Sequence, residues 1–209
     1  WVDTIANDEL RPGLTARVVS NPEFLREGSA VRDFMYPDRI VLGGSDRGSV
    51  EKVAELYHPL NAPIMITDKR TAEMIKYASN SYLATKVSFI NEIASICEQV
   101  GADVTQVARG MAYDNRIGPG HLGAGLGWGG SCFPKDTKAL EHLAAVNGCH
   151  PQLLRSVIEI NNDQRRRLVE KVRDAIGQSL DDRVIGVLGL SFRPNTDDIR
   201  DAPSLSVIE

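Results

Sequence analysis

Cys132 ends a loop that holds seven glycines between Gly118 and Gly130, and Phe133-Pro134-Lys135-Asp136 follows it. A thiol in this setting is equipped for nucleophilic chemistry. Pro134 suits the first turn of a helix, where no backbone N–H is needed, and Thr137 to Val146 is good helix material. The sulfur is therefore expected near a helix N-terminus and beside Lys135. Both neighbours favour the thiolate, the nucleophilic form, and Asp136 is near enough in sequence to act at the same place. Glycine has no side chain to hold a ligand off, so the loop can bring backbone close to one. The competing reading is a buried structural cysteine after a flexible loop, the commoner fate of a free thiol. Glycine density, helix-start chemistry and flanking charge together favour the nucleophile. The letters Gly125-x-Gly127-x-x-Gly130 also fit a dinucleotide fingerprint, but that pattern needs a hydrophobic strand immediately before it. Residues 114–124 are polar and glycine-rich, so the match is read as chance.

Two other pairs have functional spacing. Glu23 and Glu27 are four apart after Asn21-Pro22, which reads as a helix cap and a first-position proline. On one face of a turn the two carboxylates repel by roughly a few tenths of a kcal/mol. A ligand, cation or hydrogen-bond partner between them would offset this; equally, acidic residues favour a helix N-terminus without any ligand. Lys76 and Asn80 are also four apart and share a helix face. The lysine is either functional or a side chain that snorkels to the surface.

The elements that must hold these groups follow from pattern. Residues 1–13 read as a helix end closed by Arg11-Pro12-Gly13. Strands are expected at Ala16–Ser20, Arg39–Leu42 and Pro63–Thr67, with a helix from about Ser49 to Tyr57 between the last two. Strand–helix–strand alternation indicates a parallel α/β sheet. Thr71 to Val100 contains no Pro or Gly and carries an apolar stripe at Ile75, Ala78, Tyr82, Phe89, Ile93, Ile96 and Val100. Apolar residues on its other faces (Met74, Leu83, Val87, Ile90) suit a helix serving both a core and a subunit interface. Helices follow at Val104–Met111, 135–147 and 152–177, then a strand at Arg183–Leu190, a polar loop, and a new helix from Ala202-Pro203-Ser204. The plan is α/β end, helical middle, α/β beginning: residues 1–70, 71–180 and 181–209.

Composition narrows the class. With 42% apolar and 25% charged residues, a packed soluble core is expected. The net charge of −4 and the lack of a basic cluster point away from nucleic acid; Arg165-Arg166-Arg167 reads as a solvated face or salt-bridge partner. No apolar run approaches a membrane span. Three cysteines without framework spacing indicate a reducing compartment, hence a cytoplasmic protein. Cys97 reads as core. Cys149 and His150 lack partners at metal-ligand spacing and read as structural, so no metal is expected. The chain begins at Trp1 and finishes in what reads as an opening helix, as expected of a central slice of a longer protein.

Four motifs occur in one order: Asn21-Pro22-Glu23-Phe24-Leu25-Arg26-Glu27-Gly28, the Lys76/Asn80 helix, Gly129-Gly130-Ser131-Cys132-Phe133-Pro134-Lys135-Asp136, and Gly189-Leu190-Ser191-Phe192-Arg193. Together they resemble the UDP-glucose/GDP-mannose 6-dehydrogenase family, on its UDP-glucose side, over essentially the whole chain. The resemblance implies the end of a Rossmann-like NAD domain (1–70), a central all-helical dimerisation domain with a long connecting helix (71–180), and the start of a second Rossmann-like, UDP-binding domain (181–209). It implies oxidation of UDP-glucose to UDP-glucuronate with two NAD reduced in turn, as in polysaccharide synthesis. An aldehyde is oxidised again only after something adds to its carbonyl, which a thiolate can do.

By resemblance, Cys132 is the nucleophile, and Lys76 is acid/base or stabilises the oxyanion with support from Asn80 and Asp136. Glu23 handles the hydrolytic water, and mutual perturbation of Lys76, Asp136 and Glu23 is expected of groups in acid/base work. Substrate contacts are implied at Glu23, Phe24, Leu25, Arg26, Glu27, Lys76, Asn80, His121, Leu122, Gly123, Ala124, Gly125 and Gly129. Phe192 and Arg193 match further substrate contacts, although lysine is more usual at the latter and Arg bonds with different geometry. Arg116 matches an arginine that reaches a neighbouring subunit's substrate, in a homodimer or larger homo-oligomer built on the long helix. Cofactor contacts are implied at Glu27, Cys132, Lys135 and Arg200. The family's N-terminal glycine fingerprint and catalytic threonine are not in this stretch, so the slice alone is expected not to turn over. Alternatives are GDP-mannose or another nucleotide sugar as substrate and, in a different class, a helical dimerisation module with no ligand.

Overall fold

A computed structural model describes residues 2–11, 13–177 and 179–209; Pro12, read as closing the first helix, lies outside them, as do Trp1 and Gln178. The chain is α/β and divides into two compact units, Trp1–Tyr77 and Ala78–Glu209.

The first unit opens with α1 (Val2–Asp8) and α2 (Ala30–Met35), followed by β1 (Ile40–Gly43), α3 (Arg47–Tyr57), a single 3₁₀ turn at His58–Leu60 and β2 (Ile64–Thr67). β1 and β2 pair in parallel, Ile40 opposite Ile64 and Gly43 opposite Thr67. β1 is buried throughout, and Ile40 and Leu42 pack with Val50 and Ala54 of α3. Those two helix positions are four apart and so share one face. α3 starts where it does because the Asp46 carboxylate accepts from the Ser49 N–H (2.8 Å), satisfying one of the orphan donors of its first turn. The expected βαβ order is present, with two differences. Ala16–Ser20 is not a strand: only Ser20 bridges to Gly43, antiparallel. The helix expected from Asn21 is absent, and residues 21–26 have no regular structure. Asn21 spends its amide on tertiary contacts instead, donating to the Val41 carbonyl (3.0 Å) and accepting from the Tyr57 hydroxyl.

α4 (Lys69–Val100) begins in the first unit, and most of its length belongs to the second. α5 (Val104–Ala112), α6 (Phe133–Val146), α7 (Gln152–Ile176) and α8 (Pro203–Ile208) complete the second unit. Its core gathers Ala84, Trp128 and Val157, with Val87, Phe133 and Ile158 against them. The inward face of α4 is built from small and polar residues: Asn80, Ser81, Ala84, Ser88 and Asn91 are all buried. Much of the apolar stripe read from the sequence points outward, with Tyr82 61%, Phe89 43%, Ile96 52% and Val100 70% exposed. Ile90 is the one large apolar side chain of α4 that is fully buried among the described residues; the small ones beside it let the Ser88 hydroxyl reach the Val157 backbone of α7.

The strand expected at Arg183–Leu190 is not formed. No described segment pairs with it, and Val184 and Leu188 are fully exposed. A strand exists through its ladder, and an apolar run by itself does not supply one. Of the three arginines in the run, Arg166 pairs with Asp163 and Arg167 with Glu98. Among the described residues no helix is long and apolar enough to cross a membrane, and no group of His, Cys, Asp and Glu could hold a metal ion.

Candidate active site

Cys132 occupies the N-cap position of α6, half-buried, with Pro134 in the first turn. Its carbonyl accepts from the Asp136 N–H (2.9 Å), and its sulfur lies 3.5 Å from the Ser131 hydroxyl. The cysteine stands at the helix start, as the sequence leads one to expect, and its side chain makes no capping hydrogen bond there.

Asp136, one turn into α6, is 1% exposed. A carboxylate so buried must be paired and hydrogen-bonded. Asn80 Nδ2 donates to Oδ2 (2.6 Å), and Lys135 Nζ donates to Oδ1 (2.7 Å). Asn80 is itself buried, whereas the Lys135 side chain is 67% exposed. Asn80 and Asp136 thus fix α6, and Cys132 with it, against α4. Lys135, expected beside the sulfur, gives its ammonium to Asp136.

The glycine loop is fixed from α4 and α7. Asn161 Oδ1 accepts from the Trp128 N–H (2.7 Å), and its Nδ2 donates to the Trp128 carbonyl (3.0 Å). The indole N–H donates to Ser88 Oγ (3.0 Å), which donates to the Val157 carbonyl (2.9 Å). The glycines divide into two groups. A Cβ at Gly127 would collide with Asn161 Oδ1, one at Gly129 with the Asp201 carbonyl, and one at Gly130 would lie 2.6 Å from the Phe192 ring. Gly127 and Gly130 also have positive φ (+94° and +82°), where other residues are strained. A Cβ at Gly118, Gly120, Gly123 or Gly125 would meet nothing within 4 Å. On the side where a Cβ would lie, the protein itself fills the space beside the first group, and space is open only beside the second. No strand precedes the Gly125–Gly130 pattern, and α6 starts three residues beyond it, so it is no dinucleotide turn.

Around this loop, Leu122 is buried and the His121 ring lies 6.2 Å from that of Phe133. The segment after residue 190 closes on it: the Gly130 N–H donates to the Arg200 carbonyl (3.0 Å), and the Phe192 N–H to the Asp198 carbonyl (3.0 Å). The Arg193 carbonyl accepts from Ser191 Oγ (3.0 Å), and Arg200 forks onto Asp198, Nη2 at 2.7 Å. Arg116 is highly exposed and bonds Asp114, whose carboxyl it holds below the usual range while its own guanidinium is raised.

In the first unit, Lys76 Nζ donates to the Glu23 carbonyl and, at 3.1 Å, to Glu23 Oε2. The lysine side chain is 16% exposed, so it is held at the Glu23 segment and does not simply snorkel. Glu23 Oε1 accepts from the Leu25 N–H. Phe24 lies under Arg39, whose Cζ is 3.8 Å from the ring centroid, with Lys76 Nζ at 5.7 Å. Both cations face the electron-rich ring. Arg26 binds Asp33 through Nη2 (2.6 Å) and Nε (2.9 Å). This fork holds the Asp33 carboxyl well below the usual carboxylate range, against the opposing effect of burial. Glu23 and Glu27 do not share a helical face: Glu27 opens the turn before α2, and the partner Glu23 finds is Lys76.

Several positioning residues escape a reading of sequence. Arg39, Asp33, Asn91, Asn161 and Gln164 stand in no chemical motif. The available signal was weak: Asn91 and Asn161 each directly follow an isoleucine in a helical stretch (Ile90-Asn91 and Ile160-Asn161), and a polar residue on a buried face needs a partner.

Comparison with known proteins gives a consistent picture. Residues 2–61 match the NAD binding domain of the UDP-glucose/GDP-mannose dehydrogenase family, and residues 70–163 match its central domain. UDP-glucose 6-dehydrogenase YwqF of Bacillus subtilis (strain 168) is 50% identical over 208 residues, covering 100% of this chain and 47% of its own length. UDP-glucose 6-dehydrogenase TuaD of the same organism is 53% identical over 191 residues, covering 91% and 41%. A solved UDP-glucose dehydrogenase from the hyperthermophilic archaeon Pyrobaculum islandicum superposes with a TM-score of 0.91 at 42% identity, over 93% of this chain and 45% of that one. The chain spans about half the length of the relatives it matches.

Proposed function

Because the chain belongs to the UDP-glucose/GDP-mannose dehydrogenase family, we propose that it carries the catalytic cysteine and substrate loop of an enzyme that oxidises UDP-glucose to UDP-glucuronate. The observation that carries this reading is the Cys132–Asp136–Asn80 arrangement, a thiol at a helix start whose first turn is locked by a buried, doubly bonded carboxylate. A structural cysteine has no need of that lock.

Cys132 acts on the aldehyde that the first oxidation leaves at the sugar's primary carbon. The thiolate adds to the carbonyl carbon, the carbonyl electrons move to oxygen, and a thiohemiacetal forms. Loss of a second hydride and the hydroxyl proton gives a thioester. Water then adds to that carbonyl, and the Cys132 thiolate leaves as the carboxylate is released. Lys76 acts as acid/base or stabilises the oxyanion; its bond to Glu23 supports pairing it with the residue proposed to handle the hydrolytic water. Asn80 and Asp136 hold Cys132 in place. Bound NAD supplies the hydride acceptor for both oxidations. Lys135 and Arg200 would supply cations for its pyrophosphate, each of them paired here with a carboxylate, Asp136 and Asp198; Glu27 and Cys132 are the other cofactor contacts in this reading.

Loop 121–125, with Gly129, takes the nucleotide sugar, and the open space beside Gly123 and Gly125 supports this. Phe24, Leu25, Arg26, Phe192 and Arg193 are the remaining substrate contacts. The exposed Tyr82, Phe89 and Ile96 recur every seven residues on α4 and suit a second copy of the chain, toward whose substrate Arg116 reaches. A reducing compartment such as the cytoplasm keeps the catalytic thiol usable.

The test is Cys132→Ser in the full-length enzyme, following NADH formed per UDP-glucose and covalently held sugar by mass spectrometry. Failure of the second oxidation or of acid release, with nucleotide-sugar binding intact, is the expected result. UDP-glucuronate made at the wild-type rate would make Cys132 structural and remove the reading.

A further inference from the structure

Loop 118–130 has no helix or strand of its own, so its peptide groups must find partners elsewhere. At Gly125 both groups do. The Gly125 N–H donates to Asn91 Oδ1 (2.8 Å), and the Gly125 carbonyl accepts from Gln164 Nε2 (2.8 Å). Asn91 comes from α4 and Gln164 from α7, so two helices grip the backbone on both sides of one residue. We propose that Asn91 and Gln164 are positioning residues that set loop 121–125 for the nucleotide sugar, an inference that rests on the assignment of that loop made above.

The state of Asn91 separates this from a plain structural role. The residue is 1% exposed, yet only half of its amide is used. Its Nδ2 is buried without a hydrogen-bond partner among the described residues. Burying a donor without an acceptor destabilises a fold, and a leucine of similar size would avoid that. The asparagine is thus kept against the stability of the helix pair, for the acceptor it offers Gly125. Gly125 itself is exposed, so its N–H can turn to water if released. Folding does not require this bond, but a fixed loop does. Open space around Gly120, Gly123 and Gly125 removes the packing that would otherwise hold the loop. The buried Leu122, the His121 ring against Phe133 and the two amides hold it, and both amides act through backbone, away from any reacting atom.

The test uses the full-length enzyme with Asn91→Leu, Gln164→Met and the double variant. Amide hydrogen exchange is read on peptides covering residues 118–127, together with KM for UDP-glucose, KM for NAD, kcat and Tm. Loop exchange is expected to speed up while peptides of α4 and α7 keep their protection. KM for UDP-glucose should rise about five- to tenfold in each single variant, the factor one neutral hydrogen bond represents. KM for NAD should stay within about twofold, a change too small to represent a lost bond, and Asn91→Leu should not lower Tm. The double variant should fall short of the product of the singles, since both amides hold the same residue. Unchanged loop exchange in Asn91→Leu overturns the proposal. So does a parallel rise in both KM values with a fall in Tm, the mark of general loosening. If the wild-type enzyme leaves UDP-glucose unoxidised, the assigned reaction fails, and loop exchange still decides whether the amides hold the loop.

Discussion

Asn161→Ala should destabilise this chain by about 2–4 kcal/mol, as the sum of two losses. The asparagine is 2% exposed and makes both of its bonds to one residue, Trp128. Truncation treats the two bonds differently. The Trp128 carbonyl keeps Arg165 Nη2 at 3.3 Å, so that loss is about 0.5–1.5 kcal/mol. The Trp128 N–H belongs to a residue only 6% exposed and loses its acceptor at 2.7 Å. An unsatisfied buried donor costs about 1–3 kcal/mol. For a chain of this length each kcal/mol is roughly 2–4 °C in Tm, so a fall of about 5–15 °C is expected. Far-UV circular dichroism during thermal and urea unfolding measures it, with Asn162→Ala as the control. Asn162 is the next residue, is exposed, and should stay within about 0.5 kcal/mol of wild type. If Asn161→Ala behaves like that control, the Trp128 peptide finds other partners at no cost and the loop is not built around this amide.

Three further outcomes follow from the same geometry. Gly130→Ala should lose about 2–4 kcal/mol, because positive φ and contact with the Phe192 ring act together, whereas Gly123→Ala, with open space at its Cβ, should stay within about 0.5 kcal/mol; equal losses in thermal melts would refute the division of the glycines. Asp33 carries a carboxyl held below its ordinary value by the Arg26 fork, so its stabilisation is complete above the unfolded value of about 4 and drains as pH falls through the lower folded value. The urea midpoint of Asp33→Asn should therefore lie below wild type at pH 7, with the gap narrowing below about pH 4; a gap constant down to pH 3 counts against the ion pair. Alkylation should reach Cys132 before Cys149, although Cys149 is the more exposed thiol and Cys97 is buried; a rate order that simply follows exposure would argue against an activated sulfur.

Much of this arrangement could be read from the sequence, and the failures have physical causes. Helices were legible in place but less so at their ends: α3, read from about Ser49, starts at Arg47 after the cap Asp46, and α5 was read from Val104 without its cap Asp103. Asn21-Pro22 carried the letters of a helix start, but its amide had better partners in Val41 and Tyr57, which no local pattern reveals. Arg183–Leu190 has the composition of a strand, and composition says nothing of whether a neighbouring strand is there to pair with it. The stripe on α4 was found, but not its direction. Periodicity defines a face without saying which way it points, and here alanines, serines and asparagines make the closer-packed side. Lys76 and Glu23 were brought together only by the family resemblance, since no local pattern reveals a bond that spans 53 residues of chain.

The glycine loop shows why a motif can be right about place and incomplete about cause. Its density suggested backbone laid against a ligand. Gly127, Gly129 and Gly130 instead lie against Asn161, Asp201 and Phe192 of the protein itself, and they immediately precede Ser131 and Cys132. Those three glycines therefore position the thiol, because a side chain at any of them would push the start of α6 away from α7 and from the 192–203 segment. The glycines from 118 to 125 meet no such neighbours, and there the absence of side chains leaves room for something outside the chain. One compositional signal thus covers two mechanisms, divided between Gly125 and Gly127. The residues on either side of that division are held by different amides, Asn91 and Gln164 at Gly125 and Asn161 at Trp128. Binding and thiol placement can then be perturbed separately, since a lost bond at Gly125 frees the loop while the Trp128 anchor still holds the start of α6.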